Sequence, residues 1–228
     1  MLKKVLIGAL LCVAIGATTA SAQTPRISIT GLIGWTFADG VSGDGAFAAN
    51  GNFYNRIDPQ DSMHYGFSAG VFVNANTEVG FMWRRQMTKV DVSGPSIVTT
   101  LGDQDIDNYH GYFAYYFGDP EGHFNPYFLG GFGATHFGTV NFTSAIGGVQ
   151  RSIAGETQFS TTWGAGVRLN VNPHFGFKAG MQWTPSYIKS DPSGYWCDPW
   201  YGGCYVVGNA QYANQFEILG AVTFRFGG

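Results

Sequence analysis

Gln158-Phe159-Ser160-Thr161-Thr162-Trp163-Gly164-Ala165-Gly166-Val167-Arg168-Leu169-Asn170-Val171 is the stretch that decides the fold. Its odd positions are apolar apart from Thr161, and its even positions are small or polar, one of them an arginine. A period of two is the pattern of an extended strand with two unlike faces. No helix could keep these two sets apart, because a helical face repeats every three to four residues.

The same alternation recurs on both sides of this stretch. Ile27 to Phe37 sets Ile27, Ile29, Ile33 and Trp35 against Ser28, Thr30, Gly34 and Thr36. His64 to Val73 sets Tyr65, Phe67, Ala69, Val71 and Val73 against His64, Gly66, Ser68 and Gly70. Thr77 to Lys89 sets Val79, Phe81 and Trp83 against Glu78, Gly80, Arg84 and Gln86. Phe175 to Trp183 places Lys178 and Gln182 on the polar side, and Phe216 to Phe226 places Glu217, Thr223 and Arg225 there. Tyr109 to Phe117 is aromatic on both faces and Tyr127 to Phe137 is glycine-rich, so the alternation assigns no faces to them.

Eight strands of about 11 residues follow. They are separated by breaks that alternate in length. Asn74-Ala75-Asn76, Gly118 to Phe124 and Asn172-Pro173-His174 are short and rich in turn formers; roughly 38–62, 91–104, 139–156 and 189–213 are long. This spacing predicts an all-β, up-and-down antiparallel barrel that crosses a membrane, with short periplasmic turns and four long outer loops. A ten-strand version would need additional pairing inside a loop, for instance around Ile97 to Leu101.

The faces separate a membrane barrel from a soluble one. A soluble barrel hides its apolar face, whereas a membrane barrel turns it to lipid and fills its interior with polar side chains. Here the apolar face carries Trp35, Trp83, Trp163 and Trp183 towards strand ends, as interfacial girdles do. Glu78, Arg84, Arg168, Lys178, Glu217 and Arg225 then point inward as groups of both signs. An eight-stranded interior holds side chains and little else, so these charges are expected to pair as a network plugging the lumen.

The amino terminus agrees with export. Lys3 and Lys4 precede an apolar stretch from Val5 to about Ala17 and the small residues Ala20-Ser21-Ala22, the pattern of a cleaved leader over residues 1–22. Residues 23–228 then form the barrel domain, with a net charge near −5. No basic stripe is left to neutralise phosphates, which argues against nucleic acid as a partner. Only 12% of residues are charged and 16% are aromatic, and 34 are glycine, a composition that suits a lipid-facing surface better than a soluble domain. No run of 18 apolar residues follows the leader, so a helical membrane protein is excluded.

Once Cys12 leaves with the leader, Cys197 and Cys204 are the remaining cysteines, and in an exported chain a pair suggests a disulfide. The ring would hold Trp196, Trp200, Tyr201 and Tyr205 in the last long loop, where rigid exposed aromatics serve as binding anchors. The alternative is a ring that only protects the loop from proteases.

The histidines show no catalytic or metal spacing. No His-x-Ser occurs, and His64 and Ser68 share a face about 13 Å apart along a strand. Asp103-Gln104-Asp105-Ile106-Asp107 lacks the glycine and glutamate of an EF-hand loop and reads as solvated loop charge. No cofactor motif is present.

The leader, the alternating segments, the run Pro126-Tyr127-Phe128-Leu129-Gly130-Gly131-Phe132-Gly133 and the closing Ala221-Val222-Thr223-Phe224-Arg225-Phe226 together resemble the OmpA/OmpX-type eight-stranded outer-membrane barrels, the porin-family β-barrel domains, over residues 23–228. The resemblance implies a location in the bacterial outer membrane, contact with its lipid and lipopolysaccharide, and a monomer. It also implies recognition of terminal aromatics by the barrel assembly machinery, here Phe224 and Phe226, although Gly227-Gly228 follow them. The chain stops where the barrel stops, so wall anchoring through a further periplasmic domain is not expected. The expected role is structural or surface-interactive and not enzymatic, through a loop ligand of unknown identity. A narrow conduit for small or apolar solutes is the alternative, and a lipid-A-modifying enzyme is a third class.

Overall fold

A computed structural model describes residues 26–47, 53–95, 97–119, 122–143, 150–188, 196–197, 204–205 and 211–227. Among the described residues, fourteen strands run in chain order: β1 Ile27–Asp39, β2 Val41–Phe47, β3 Phe53–Pro59, β4 Ser62–Phe72, β5 Thr77–Gly94, β6 Ile97–Tyr116, β7 Phe124–Phe137, β8 Val140–Thr143, β9 Gln150–Ile153, β10 Glu156–Asn172, β11 Phe175–Ile188, β12 Trp196–Cys197, β13 Cys204–Tyr205 and β14 Gln211–Phe226. Eight of them, β1, β4, β5, β6, β7, β10, β11 and β14, pair antiparallel with their neighbours, and β1 with β14 closes the ring. Closure leaves the wall without an edge, as a bilayer requires of any sheet that crosses it.

The short turns are fixed by asparagine side chains. The Asn74 Oδ1 accepts from the amides of Asn76 at 2.9 Å and Thr77 at 2.8 Å. At the β10–β11 turn, the Asn172 Oδ1 accepts from His174 at 2.8 Å and Phe175 at 2.9 Å. Both are Asx turns, in which a side chain replaces a backbone acceptor and reverses the chain within a few residues. Gly118, at φ 91°, opens the remaining short connection in a conformation that only glycine adopts freely.

Wall residues turn apolar side chains outward. Ile33 is 54% exposed and Phe132 70%. Between the tryptophan level and the short turns, the outward positions of all eight wall strands carry no acidic or basic residue. Tryptophans of the wall meet aromatic partners on neighbouring strands: Trp163 stands opposite Trp183, Trp183 opposite Phe216, and Trp83 opposite Tyr109. A second aromatic belt at the short-turn end includes Tyr115 with Phe117 (ring centroids 5.1 Å apart) and Phe175 with Phe224 (5.3 Å). Two aromatic belts enclosing an uncharged band are the outer surface of a transmembrane barrel.

The two strands without a sequence-assigned face acquire one. In β6, His110, Tyr112, Ala114 and Tyr116 point in while Tyr109, Phe113 and Tyr115 point out. In β7, Asn125, Tyr127, Leu129 and Thr135 point in.

The long segments differ from their sequence reading. Residues 91–104, expected as a loop, mostly continue the β5–β6 hairpin, with Gly94 opposite Ile97. Ile97 to Leu101 therefore lengthens a wall strand instead of adding a ninth and tenth. The reason is visible in Val90 and Val92, each 1% exposed: the inward apolar alternation persists beyond the membrane level. Within 38–62, β2 and β3 form a hairpin, and β3 pairs with the outer part of β5 above the point where β4 ends. β8 and β9 make a small hairpin within 139–156, and β12 and β13 one within 189–213.

Candidate functional site

The interior is the most built part of the molecule. Three layers of polar side chains cross it, each joining strands on opposite walls. The layer nearest the short turns centres on Glu78 of β5, which is fully buried. Its carboxylate accepts from Ser28 Oγ of β1 at 2.5 Å, and from Tyr112 and Tyr116 Oη of β6 at 2.6 and 2.5 Å. It also faces the Lys178 ammonium of β11, on the far wall, at 3.5 Å. Arg168 of β10 lies with its guanidinium 4.0 Å from the Tyr116 ring centre and 5.6 Å from that of Phe72. Lys178 lies 5.5 Å from the same Tyr116 ring. Aromatic faces carry negative quadrupole charge, so Tyr116 helps to hold both cations. Arg225 sits at the rim, donating to the Asn172 carbonyl at 3.0 Å.

The middle layer is built on Arg84 of β5. Its Nη1 donates to Gln182 Oε1 at 2.8 Å and its Nη2 to Thr184 Oγ1 at 3.1 Å, both on β11. It is ion-paired with Glu217 of β14, and both side chains are 1% exposed. Guanidinium suits this place because its planar fork reaches several acceptors at once. His64 and His110 flank it, with His64 Nδ1 2.9 Å from Thr36 Oγ1 and His110 Nε2 2.9 Å from Ser160 Oγ.

The third layer, towards the long loops, is uncharged. Gln215 of β14 donates to Gln86 of β5 at 3.0 Å and accepts from Asn108 of β6 at 3.0 Å. The Thr135 hydroxyl of β7 lies 2.6 Å from Asn108 Oδ1 and 2.9 Å from the hydroxyls of Ser160 and Ser186.

Large inward side chains need small ones opposite them. A Cβ at Gly70 would lie 2.6 Å from Glu78 Oε1 and 2.7 Å from Tyr112 Oη; at Gly166 and Gly180 it would lie 2.8 and 2.9 Å from Tyr127 Oη. These glycines are spaces for the plug.

Beyond the wall, the long-loop end carries a second, charged arrangement. Arg56 of β3 bridges Asp39 of β1 at 2.6 Å and Asp58 at 2.7 Å. Burial pulls the Arg56 pKa down, but hydrogen bonds to Asp58 and Asp39 outweigh it, and the value stands above the ordinary one. Asp91 accepts from Gln60 Nε2 at 2.9 Å and Thr100 Oγ1 at 2.6 Å. The run Asp103 to Asp107 is strand, not loop. Asp107 is 4% exposed and takes Arg85 in a fork at 2.8 and 2.7 Å, with Trp83 Nε1 at 3.2 Å, so it is not a solvated loop charge. A shallow groove of about 420 Å³ lies beside it, lined by Gln60, Asp61, Met87, Lys89, Asp103 and Asp105 among others. Among the described residues, no group of three or more His, Cys, Asp or Glu side chains is placed to hold a metal ion.

Of the sequence-derived positions, Glu78, Arg84, Arg168, Lys178 and Glu217 come together inside the lumen. Phe224 and Phe226 face outward on the last wall strand. Trp200 and Tyr201 lie outside the described residues; for Trp196, Cys197, Cys204 and Tyr205 the backbone register alone is described, with Cys197 opposite Cys204. Sequence reasoning missed Tyr112, Tyr116, Asn108 and Gln215, and it placed Gln182 on the inward face without a partner. Tyr112 and Tyr116 sit on the strand whose faces the alternation left open, and the others became partners only when opposite walls met.

Comparison with known proteins agrees with this architecture. The outer membrane protein OprG from Pseudomonas aeruginosa superposes with a TM-score of 0.58 at 15% identity, covering 90% of this chain and 98% of that one. The N-terminal β-barrel domain of Pseudomonas aeruginosa OprF gives 0.44 at 14%, covering 90% and 100%. Neisserial surface protein A gives 0.48 at 13%, covering 89% and 97%. No curated protein matches the sequence significantly. Residues 7–215 match the outer membrane protein beta-barrel domain, and with a closed eight-strand wall, two aromatic belts and a polar interior, this chain belongs to that family.

Proposed function

We propose that this protein is a closed, non-enzymatic outer-membrane barrel with a structural or surface-interactive role in the envelope, exported by a leader cleaved before Gln23. The observation that carries the reading is the middle layer: Arg84 crosses the lumen to Gln182, Thr184 and Glu217. A conduit needs a continuous polar path, and a buried ion pair fixed by side-chain hydrogen bonds across an eight-stranded interior obstructs one. Planar-bilayer conductance tests it. The wild type is expected to pass no steady current near neutral pH, and Arg84→Ala or Glu217→Ala to open a path. A conducting wild type would establish the conduit reading instead.

The long-loop end is then the working surface, presented outside the cell, with Trp196, Trp200, Tyr201 and Tyr205 as binding anchors. Cys197 and Cys204 are read as a disulfide because β12 and β13 set them directly opposite each other; reduction would add two hydrogens to the intact mass if the bond forms. Lipopolysaccharide and membrane lipid surround the wall, and Phe224 and Phe226 serve as the assembly signal. Against enzymatic activity stands the geometry of the described His–Ser contact: Ser160 and His110 are inside the wall, 1% and 0% exposed, and no carboxylate orients the ring. Lipopolysaccharide incubated with the protein is expected to keep its acyl chains by mass spectrometry.

A further inference from the structure

Among the described residues, three fully buried nitrogens of the middle layer have no hydrogen-bond partner: Nε2 of His64, Nδ1 of His110 and Nε of Arg84. They come from three consecutive wall strands. Arg84 stands level with Gly66 of β4 and Asn108 of β6, which places His64 one inward position to one side and His110 one to the other. The opposite nitrogen of each ring is engaged, by Thr36 of β1 and by Ser160 of β10. Glu217 of β14 holds Arg84, and the remaining middle-layer neighbours, Thr162 of β10 and Gln182 and Thr184 of β11, are uncharged. Glu78, Lys178 and Arg168 belong to the layer nearer the short turns.

From this arrangement we infer that His64, Arg84 and His110 form an acid-operated release of the lumen lock. The inference rests on the plugged reading above. A neutral ring can turn an unprotonated nitrogen to a neighbouring guanidinium. A protonated ring puts a second cation beside it, in a closed space of low dielectric, and gains an N–H donor without an acceptor. The acceptor of matching charge within the layer is the Glu217 carboxylate. As it turns to an imidazolium, Arg84 loses its counter-ion and moves to water, and the bar across the lumen is withdrawn. A hydrated lumen takes up protons that the closed one refuses, so acid shifts the balance to the open form below the ordinary imidazole range of about 6.5.

The open-to-closed ratio changes tenfold per pH unit for each proton taken up on opening. With two histidines the open-to-closed ratio should rise by about a hundredfold for each unit the pH falls at the steepest part of the transition, with one histidine about tenfold, and with none not at all. The experiment is single-channel recording of the full mature chain in planar bilayers from about pH 8 to pH 4. Wild type, His64→Gln, His110→Gln and the double variant are compared, each first shown to be folded by its faster migration on unheated gels. The slopes about two, one, one and zero decades per unit support the inference. A wild type that conducts at pH 8 overturns the plugged reading beneath it. A wild type silent at every pH overturns the acid release alone, and an unchanged slope in the double variant removes the histidines from it. Should the variants fail to fold, ¹⁵N-labelled histidine spectra of the wild type decide: both rings charged in a barrel that still does not conduct refutes the release.

Discussion

Replacing Glu78 with alanine removes the one carboxylate at the centre of the lower lumen layer and leaves Ser28, Tyr112 and Tyr116 without the oxygens they donate to, and Lys178 without its anion. Breaking one side of a buried ion pair costs about 3–5 kcal/mol, because the other charge stays in place uncompensated. Each orphaned hydroxyl adds up to about 1–3 kcal/mol, less whatever it recovers from water or a new partner. A loss of about 5 kcal/mol is expected for Glu78→Ala, about half the stability of an ordinary domain. Glu78→Gln keeps the volume and one acceptor but gives up the charge, and should lose about 2–3 kcal/mol. The measurement is equilibrium urea unfolding from phospholipid vesicles, followed by tryptophan emission and by the heat-modifiable band. The double variant Glu78→Leu, Lys178→Met should be less destabilised than Glu78→Ala, since removing both charges leaves none stranded. A Glu78→Ala loss below about 1 kcal/mol, or a double variant as damaged as the sum of its single changes, would refute the view that this carboxylate organises the layer.

Three further outcomes follow from the same geometry. Gly166→Val places a branched side chain against Tyr127 Oη and the Ala179 carbonyl and should cost about 2–3 kcal/mol, whereas Gly31→Val and Gly220→Val, where a Cβ meets nothing within 4 Å, should be neutral or mildly stabilising in the same unfolding assay. Met181→Lys, on the outward face and 52% exposed, should destabilise the barrel by about 2–4 kcal/mol in bilayers, and a neutral result would contradict a lipid-facing wall. Trp83→Phe removes the indole donor to Asp107 but leaves the Arg85 fork, so it should cost about 1 kcal/mol, while Arg85→Ala, which strands a 4% exposed carboxylate, should cost clearly more; equal losses would mean the fork does not hold Asp107.

Much of the wall was legible in the sequence because its signal is local. Residues such as Phe159, Trp163 and Val167 against Ser160, Thr162 and Arg168 state a two-residue period within one strand, and nothing distant is needed to read it. The Asx turns at Asn74 and Asn172 are equally local. β6 resisted because tyrosine serves both faces: its ring suits a lipid interface at Tyr109 and Tyr115, and its hydroxyl suits a carboxylate inside at Tyr112 and Tyr116. The segment 91–104 was missed because Gly94 and Pro95 signal a break, whereas the strands on both sides continue right up to it.

By itself, then, the sequence determined that the chain is extended, two-faced and folded back at short intervals, and that its interior holds charge of both signs. The tertiary structure decided which charges meet. Lys178 is 100 residues from Glu78, and Gln182 is 98 from Arg84, yet β5 and β11 stand on opposite walls of one ring. Side-chain direction follows from the backbone of a single strand, but the partner across a lumen depends on how many strands close the wall and how far each is shifted against the next, quantities set by all eight strands together.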